Sequence, residues 1–156
     1  KQIQKLDEIL TKYKNFNNDK EILFGEAYNF FFKENFDQSI KICNQIIIDK
    51  DIRYPIQDLL ASNLKKKGDF LKALKIYKSK LLENRNDYKI YYNIGCLLFE
   101  LGKIHQANYH FIKSKNLNPK FADISWRQSL CALTLKDFKN GFLLYLKILS
   151  SYLKHY

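Results

Sequence analysis

Methionine is missing from this chain of 156 residues, and the breakers are scarce: two prolines and five glycines. So few turn-formers exclude a β-rich chain with a tight turn every ten residues, and also a Pro/Gly-rich linker. Three cysteines, Cys43, Cys96 and Cys131, are odd in number and form no CxxC pair. That excludes a disulfide framework and fits a reducing compartment. Apolar runs are too short to span a bilayer, and no signal-peptide pattern opens the sequence. With Lys1 first and no Met, the sequence reads as a processed chain or a piece of a longer one.

Catalytic signatures are missing as well. No GxGxxG, P-loop, HExxH or GxSxG occurs. His105, His110 and His155 are too few and too scattered for a metal site or a triad, and the first two are five apart, off a shared helix face. The sequence therefore leads us to expect no enzyme activity, no metal and no cofactor. Acidic residues are in deficit, 16 against 27 Lys and Arg, a net charge of +11. Between Ala61 and Lys89 nine basic residues face only Asp69, Glu83 and Asp87. Lys72, Lys75 and Lys78 lie opposite the apolar Ala73, Leu74, Tyr77 and Leu81 on a helical wheel, which is the pattern of a solvated face. Nucleic-acid binding would want aromatics or arginines interleaved with these lysines, so it ranks below a protein partner.

What the chain does have is a period. Ile22, Ile56, Ile90 and Ile124 are each 34 residues apart. So are Phe36, Phe70, Ile104 and Phe138, and so are the small residues Ala27, Ala61, Gly95 and Ser129. A second small column holds Ser39, Ala73, Ala107 and Gly141, and a mostly aromatic one Cys43, Tyr77, Phe111 and Tyr145. Five columns in one register mark an internal repeat. Small residues midway along one helix and early in the next let two helices approach closely. The aromatic four residues after the second small one lies on the same face and fills the space beside that contact. Gly68 and Gly102 fall at the turns, where a left-handed C-cap is wanted. Glu34 and Lys136 hold those places in the outer repeats, whose turns are expected to be less regular.

Helices are predicted over 20–33 and 37–49, 54–67 and 70–84, 88–101 and 104–117, and 121–135 and 138–153. Ile3, Leu6, Ile9, Leu10 and Tyr13 put a further helix over 2–14. The pattern Tyr91, Ile94, Gly95, Leu98, Gly102, Ala107, Phe111 and Pro119 resembles the tetratricopeptide repeat (TPR) family, as in bacterial-type TPR arrays. A looser copy runs through Ala61, Leu64, Gly68, Ala73 and Tyr77. The family's tryptophan is replaced by Leu23, Gln57, Tyr91 and Ser125, and its proline occurs once. The resemblance implies an all-α, right-handed α-solenoid: a single domain over 1–156 with repeats at 20–53, 54–87, 88–121 and 122–155, preceded by a half-repeat over 1–19.

In that family the concave groove, lined mainly by first helices, is the usual binding surface. The register places Phe24, Tyr28 and Phe31 there, then Asp58, Ser62 and Lys65. Lys89, Tyr92, Asn93 and Cys96 follow, then Trp126, Arg127 and Leu130. The candidate peptide-binding residues are Asp58, Ser62, Lys89, Tyr92, Asn93, Trp126 and Arg127, because aromatics and arginine anchor interfaces through large area with a polar handle. TPR domains that clamp a C-terminal carboxylate use Lys, Asn and Arg. Asn93 and Arg127 match, but Asp58, Ser62 and Asp123 stand where two Lys and an Asn are needed, and two aspartates repel a carboxylate.

A ladder of groove asparagines, as in some TPR glycosyltransferases, is met only by Asn93 among Gly25, Leu59 and Arg127. Asp137, Phe138, Gly141 and Tyr145 are similar to the last repeat of arrays that precede glycosyltransferase-like domains. The expected function is a non-catalytic scaffold in the cytoplasm that binds a protein or peptide. The alternatives are the TPR portion of a larger glycosyltransferase-like enzyme and a basic nucleic-acid binder. Phe142, Leu143, Leu144, Leu146, Ile148, Leu149, Tyr152 and Leu153 make the last helix apolar most of the way round, which points either to a further domain of a larger protein or to self-association there.

Overall fold

The structure is a computed structural model and describes Glu8 and residues 20–47 and 55–153. The helix expected over 2–14 lies outside them, save for Glu8. The described residues from 20 onward form eight α-helices and no strand. They are α1 (Lys20–Phe32), α2 (Phe36–Ile47), α3 (Ile56–Lys66), α4 (Phe70–Glu83), α5 (Tyr88–Glu100), α6 (Ile104–Leu117), α7 (Ala122–Thr134) and α8 (Phe138–Leu153). Each boundary falls within two residues of the one read from the repeat. The chain divides into two compact units, residues 1–73 and 74–156, with α4 beginning in the first and continuing into the second.

One turn is used four times. Glu34, Gly68, Gly102 and Lys136 all have positive φ, at 58°, 83°, 71° and 61°. At each, the left-handed residue's N–H and the next one's reach back to the preceding helix. Glu34 N bonds Phe31 O and Asn35 N bonds Phe30 O; Gly102 N bonds Phe99 O and Lys103 N bonds Leu98 O. Gly68 and Asp69, and Lys136 and Asp137, repeat the pattern. This is the Schellman arrangement, which satisfies the last carbonyls of a helix. The expectation of less regular outer turns is therefore corrected: Glu34 and Lys136 accept the left-handed conformation, because two backbone hydrogen bonds hold them in it. The next residue then helps to open the following helix. Asn35 accepts from the Gln38 N–H at 3.3 Å and Asp137 from the Asn140 N–H at 3.3 Å, as N-caps do.

In the first unit, α1 packs on α2 and α2 on α3. Ala27, Cys43, Ala61 and Ala73 have no exposed surface, and Ile46, Ile56 and Leu59 complete the core. Two buried polar side chains, Ser39 and Asn63, make three hydrogen bonds within it. Ser39 Oγ donates to the Ala27 carbonyl at 2.7 Å, and Asn63 Nδ2 donates to Ser39 Oγ at 2.8 Å and to the Leu59 carbonyl at 2.9 Å. In the second unit α5, α6, α7 and α8 pack in sequence, and α5 also touches α7. Ile94, Ala107, Phe111, Ile124 and Cys131 are fully buried. The Phe111 ring fills the space left by Gly95, where a Cβ would stand 2.6 Å from it. Ser114 Oγ donates to the Tyr88 carbonyl at 2.7 Å, tying the end of α6 to the start of α5.

The two small columns meet as the register requires. At α7–α8 the Ser129 hydroxyl donates to the Gly141 carbonyl at 2.8 Å. At α1–α2 the same two columns are bonded the other way round, with the hydroxyl on the second helix. On α4, Lys72, Lys75 and Lys78 are exposed while Ala73, Leu74 and Tyr77 are buried, so the lysine face is solvated as expected. Along α8, Phe138, Phe142, Leu143, Leu146 and Leu149 are all exposed.

Candidate functional site

Helical spacing puts Tyr92, Cys96 and Glu100 on one stripe of α5, and Arg127 and Cys131 on one stripe of α7. Because α5 touches α7, the two stripes meet. The Arg127 side chain lies beside the Tyr92 hydroxyl. The Tyr92 ring is held from two sides, 5.9 Å from Phe111 and 5.1 Å from Phe121, and Phe121 in turn lies 5.4 Å from Tyr88. Tyr92 is half-buried, with its body packed and its polar end toward Arg127.

The electrostatics follow from this placement. Burial raises the Tyr92 pKa, and Arg127 only partly offsets it, so the phenol stays neutral. Burial alone would lower the Arg127 pKa. The Tyr92 hydroxyl, with Cys96 and the Glu100 carboxylate nearby, outweighs it and raises the value. Arg127 is thus a permanent, half-buried cation whose near neighbour, Tyr92, is neutral. Burial pushes the Cys131 thiol up to about 11 against the opposing pull of Arg127. Cys43 is likewise pushed up to about 11 by burial.

The other candidates divide. Asn93 is half-buried on α5, next to Tyr92, and Lys89 is exposed at the start of the same helix. Trp126 parts from Arg127 and puts its ring 6.0 Å from Tyr145 of α8. It stays 44% exposed, so it lies over the α7–α8 pair and not over the Tyr92–Arg127 pair. Cys96 is a correction: the register put it in the groove, but it is 1% exposed, packed behind Tyr92 where the two stripes close.

In the first unit Asp58 and Ser62 are half-buried on α3. The Asp58 carboxylate lies near Tyr28 and is the second cause, after burial, of a raised Tyr28 pKa. Tyr28 also belongs to an aromatic row on α1, 4.9 Å from Phe24 and 6.1 Å from Phe32. The sequence missed Phe121 and the Tyr92–Arg127 pairing for one reason. The columns compare positions 34 apart, whereas contacts between neighbouring first helices join different columns. Among the described residues no cluster of His, Cys, Asp or Glu suits a metal ion, and no helix is long and apolar enough to cross a membrane.

Helix pairs on a 34-residue period, each closed by the same turn and crossing at small residues, give the chain the all-α helix-pair fold of tetratricopeptide repeats. Solved structures share this fold. MamA, residues 41 to the end, from Desulfovibrio magneticus RS-1 is 13% identical, with a TM-score of 0.80 over 93% of this chain and 84% of that one. MamA from MSR-1 is 11% identical, with a TM-score of 0.78 over 98% and 90%. YrrB, a TPR protein with an unusual peptide-binding site, is 15% identical, with a TM-score of 0.73 over 96% and 79%. No family model matches the sequence, and no curated protein does.

Proposed function

We propose that this protein is a non-catalytic, cytoplasmic scaffold that binds an extended peptide segment of a partner protein on the first-helix face of α5 and α7. The observation that carries this reading is Arg127, a half-buried cation set beside the neutral Tyr92 hydroxyl. A guanidinium held in place by a packed phenol is pre-organised to receive a backbone carbonyl or a carboxylate with little loss of side-chain freedom. Asn93, beside it, adds a donor and an acceptor for a peptide backbone. The likeness to YrrB supports a peptide ligand without defining one. Peptide-array selection followed by fluorescence anisotropy tests the proposal. Arg127→Gln should weaken the selected peptide by about 2 kcal/mol, roughly 30-fold, with helicity unchanged. Equal affinity of the variant and the parent chain rules out this face.

A second reading, self-association, is favoured by α8. Phe138, Phe142, Leu146 and Leu149 recur at three- and four-residue spacing and are all exposed, Phe142 by 58%. A stripe this apolar is the kind that pairs in water. Sedimentation should show a concentration-dependent dimer that Phe142→Glu abolishes. A chain that stays monomeric at millimolar concentration removes the idea.

A further inference from the structure

A cavity of about 300 Å³ lies in the second unit, where the end of α6, the start of α7 and the middle of α8 meet. It is away from the Tyr92–Arg127 face and does not depend on that reading. Its lining includes Lys115, Lys120, Lys147, Ser125, Leu144 and Ile148. Lys115 is half-buried and donates to Ser125 Oγ at 3.1 Å, a neutral partner that leaves the positive charge uncompensated. Neither Lys120 nor Lys147 forms an ion pair among the described residues. No carboxylate lines the cavity; Asp123, in the first turn of α7, is exposed to solvent. Lys120 and Lys147 are exposed and Lys115 is half-buried, so the three like charges around one space are partly screened by solvent, and an anion seated between them lowers the repulsion that is left.

We propose that this cavity binds an organic phosphate monoester, with its dianionic head among Lys115, Lys120 and Lys147 and its apolar body against Leu144 and Ile148. The chemistry of the donors selects the head. Lysines act as point charges around a tetrahedral dianion, whereas a planar carboxylate is better matched by the arginine fork that is missing here. The Ser125 hydroxyl supplies a neutral donor for a further phosphate oxygen. A volume near 300 Å³ is at the lower end of the range for small-molecule sites, which suits a single-ring ester.

The test is a titration of the full chain with phenyl phosphate, inorganic phosphate and benzoate, followed by calorimetry and by amide shifts of Lys120 and Ser125. Phenyl phosphate should bind saturably, several-fold tighter than inorganic phosphate, and benzoate at least ten-fold more weakly than phenyl phosphate. Lys115→Gln and Lys147→Gln should each weaken phenyl phosphate several-fold, while Lys72→Gln on the α4 face should leave it unchanged. Affinity should fall between pH 7.5 and pH 5, as the phosphate takes up its second proton near pH 6. Absence of saturable binding, benzoate as tight as phenyl phosphate, or an equal loss with Lys72→Gln overturns the proposal. Equal affinity for inorganic phosphate would remove the role of Leu144 and Ile148. The amide shifts report on the unaltered protein, so they decide the matter even where a lysine variant folds poorly.

Discussion

Gly95 shows how tightly single positions are specified. A methyl group there would meet the Phe111 ring at 2.6, 2.8 and 3.0 Å. Alanine is the better helix former by about 1 kcal/mol, but forcing extra volume into a packed site costs about 1–3 kcal/mol, and the Phe111 ring is fully buried with nowhere to retreat. Gly95→Ala is expected to destabilise by about 1 kcal/mol in a denaturant titration. Phe111→Leu in the same chain should restore part of it. A more stable Gly95→Ala chain would show that the ring yields freely. His110 sits half-buried between Tyr91 and Tyr109, at 6.0 and 5.4 Å. Burial, and then the nearby Lys78, lower its pKa. The unfolded chain therefore takes up a proton at a higher pH than the folded one. Stability is untouched well above pH 6.5 and drops as pH falls below it. The fall in melting temperature between pH 7.5 and pH 5 should shrink in His110→Gln; an identical fall in both chains would clear His110 of any part in it.

At the level of elements the turns are the informative feature. Glu34 and Lys136 hold the left-handed conformation that Gly68 and Gly102 hold elsewhere. That conformation costs a residue with a Cβ about 1 kcal/mol. Glu34→Gly and Lys136→Gly should each stabilise by about 0.5–1 kcal/mol, and Gly68→Ala and Gly102→Ala should destabilise by about as much. Thermal denaturation of the four variants checks this, and destabilisation by Glu34→Gly would show that its side chain contributes something beyond the turn. Repeats were legible because apolar and small residues recur with the helix-pair period. The outer turns were not, because backbone hydrogen bonds define them and side-chain identity does not. The site was legible in part. Tyr92 and Arg127 come together across α5 and α7, with Asn93 half-buried next to Tyr92, but Cys96 is buried and Trp126 pairs with Tyr145. Which way a side chain leans depends on its neighbours on the next helix, and a column of equivalent positions carries no such information.

For the molecule as a whole, charge is the governing quantity. Each chain carries a net +11, so any pairing of two copies through α8 works against mutual repulsion. No carboxylate occurs from Phe138 onward to offset Lys139 and Lys147. Dimerisation through the Phe142 face should therefore strengthen as sodium chloride rises from 20 to 300 mM, since the Debye length shortens from about 20 Å to about 6 Å, which screens the repulsion and leaves apolar burial intact. Binding of a phosphate in the lysine cavity should weaken over the same range. Opposite responses to one variable allow the two surfaces to be separated in a single preparation.

The mirrored hydroxyl bonds at the helix crossings bear on how such a chain can change. In the first pair the hydroxyl sits on the second helix, at Ser39, and in the last on the first helix, at Ser129. The middle pairs have none, with Ala61 and Ala73 or Gly95 and Ala107 at the same positions. A carbonyl inside a helix is already hydrogen-bonded within it, so the crossing does not need the extra donor. A serine can be lost on one side and gained on the other, through an intermediate that two of the four repeats already represent. Copies of one unit can thus diverge at their closest contact while small residues keep their places there.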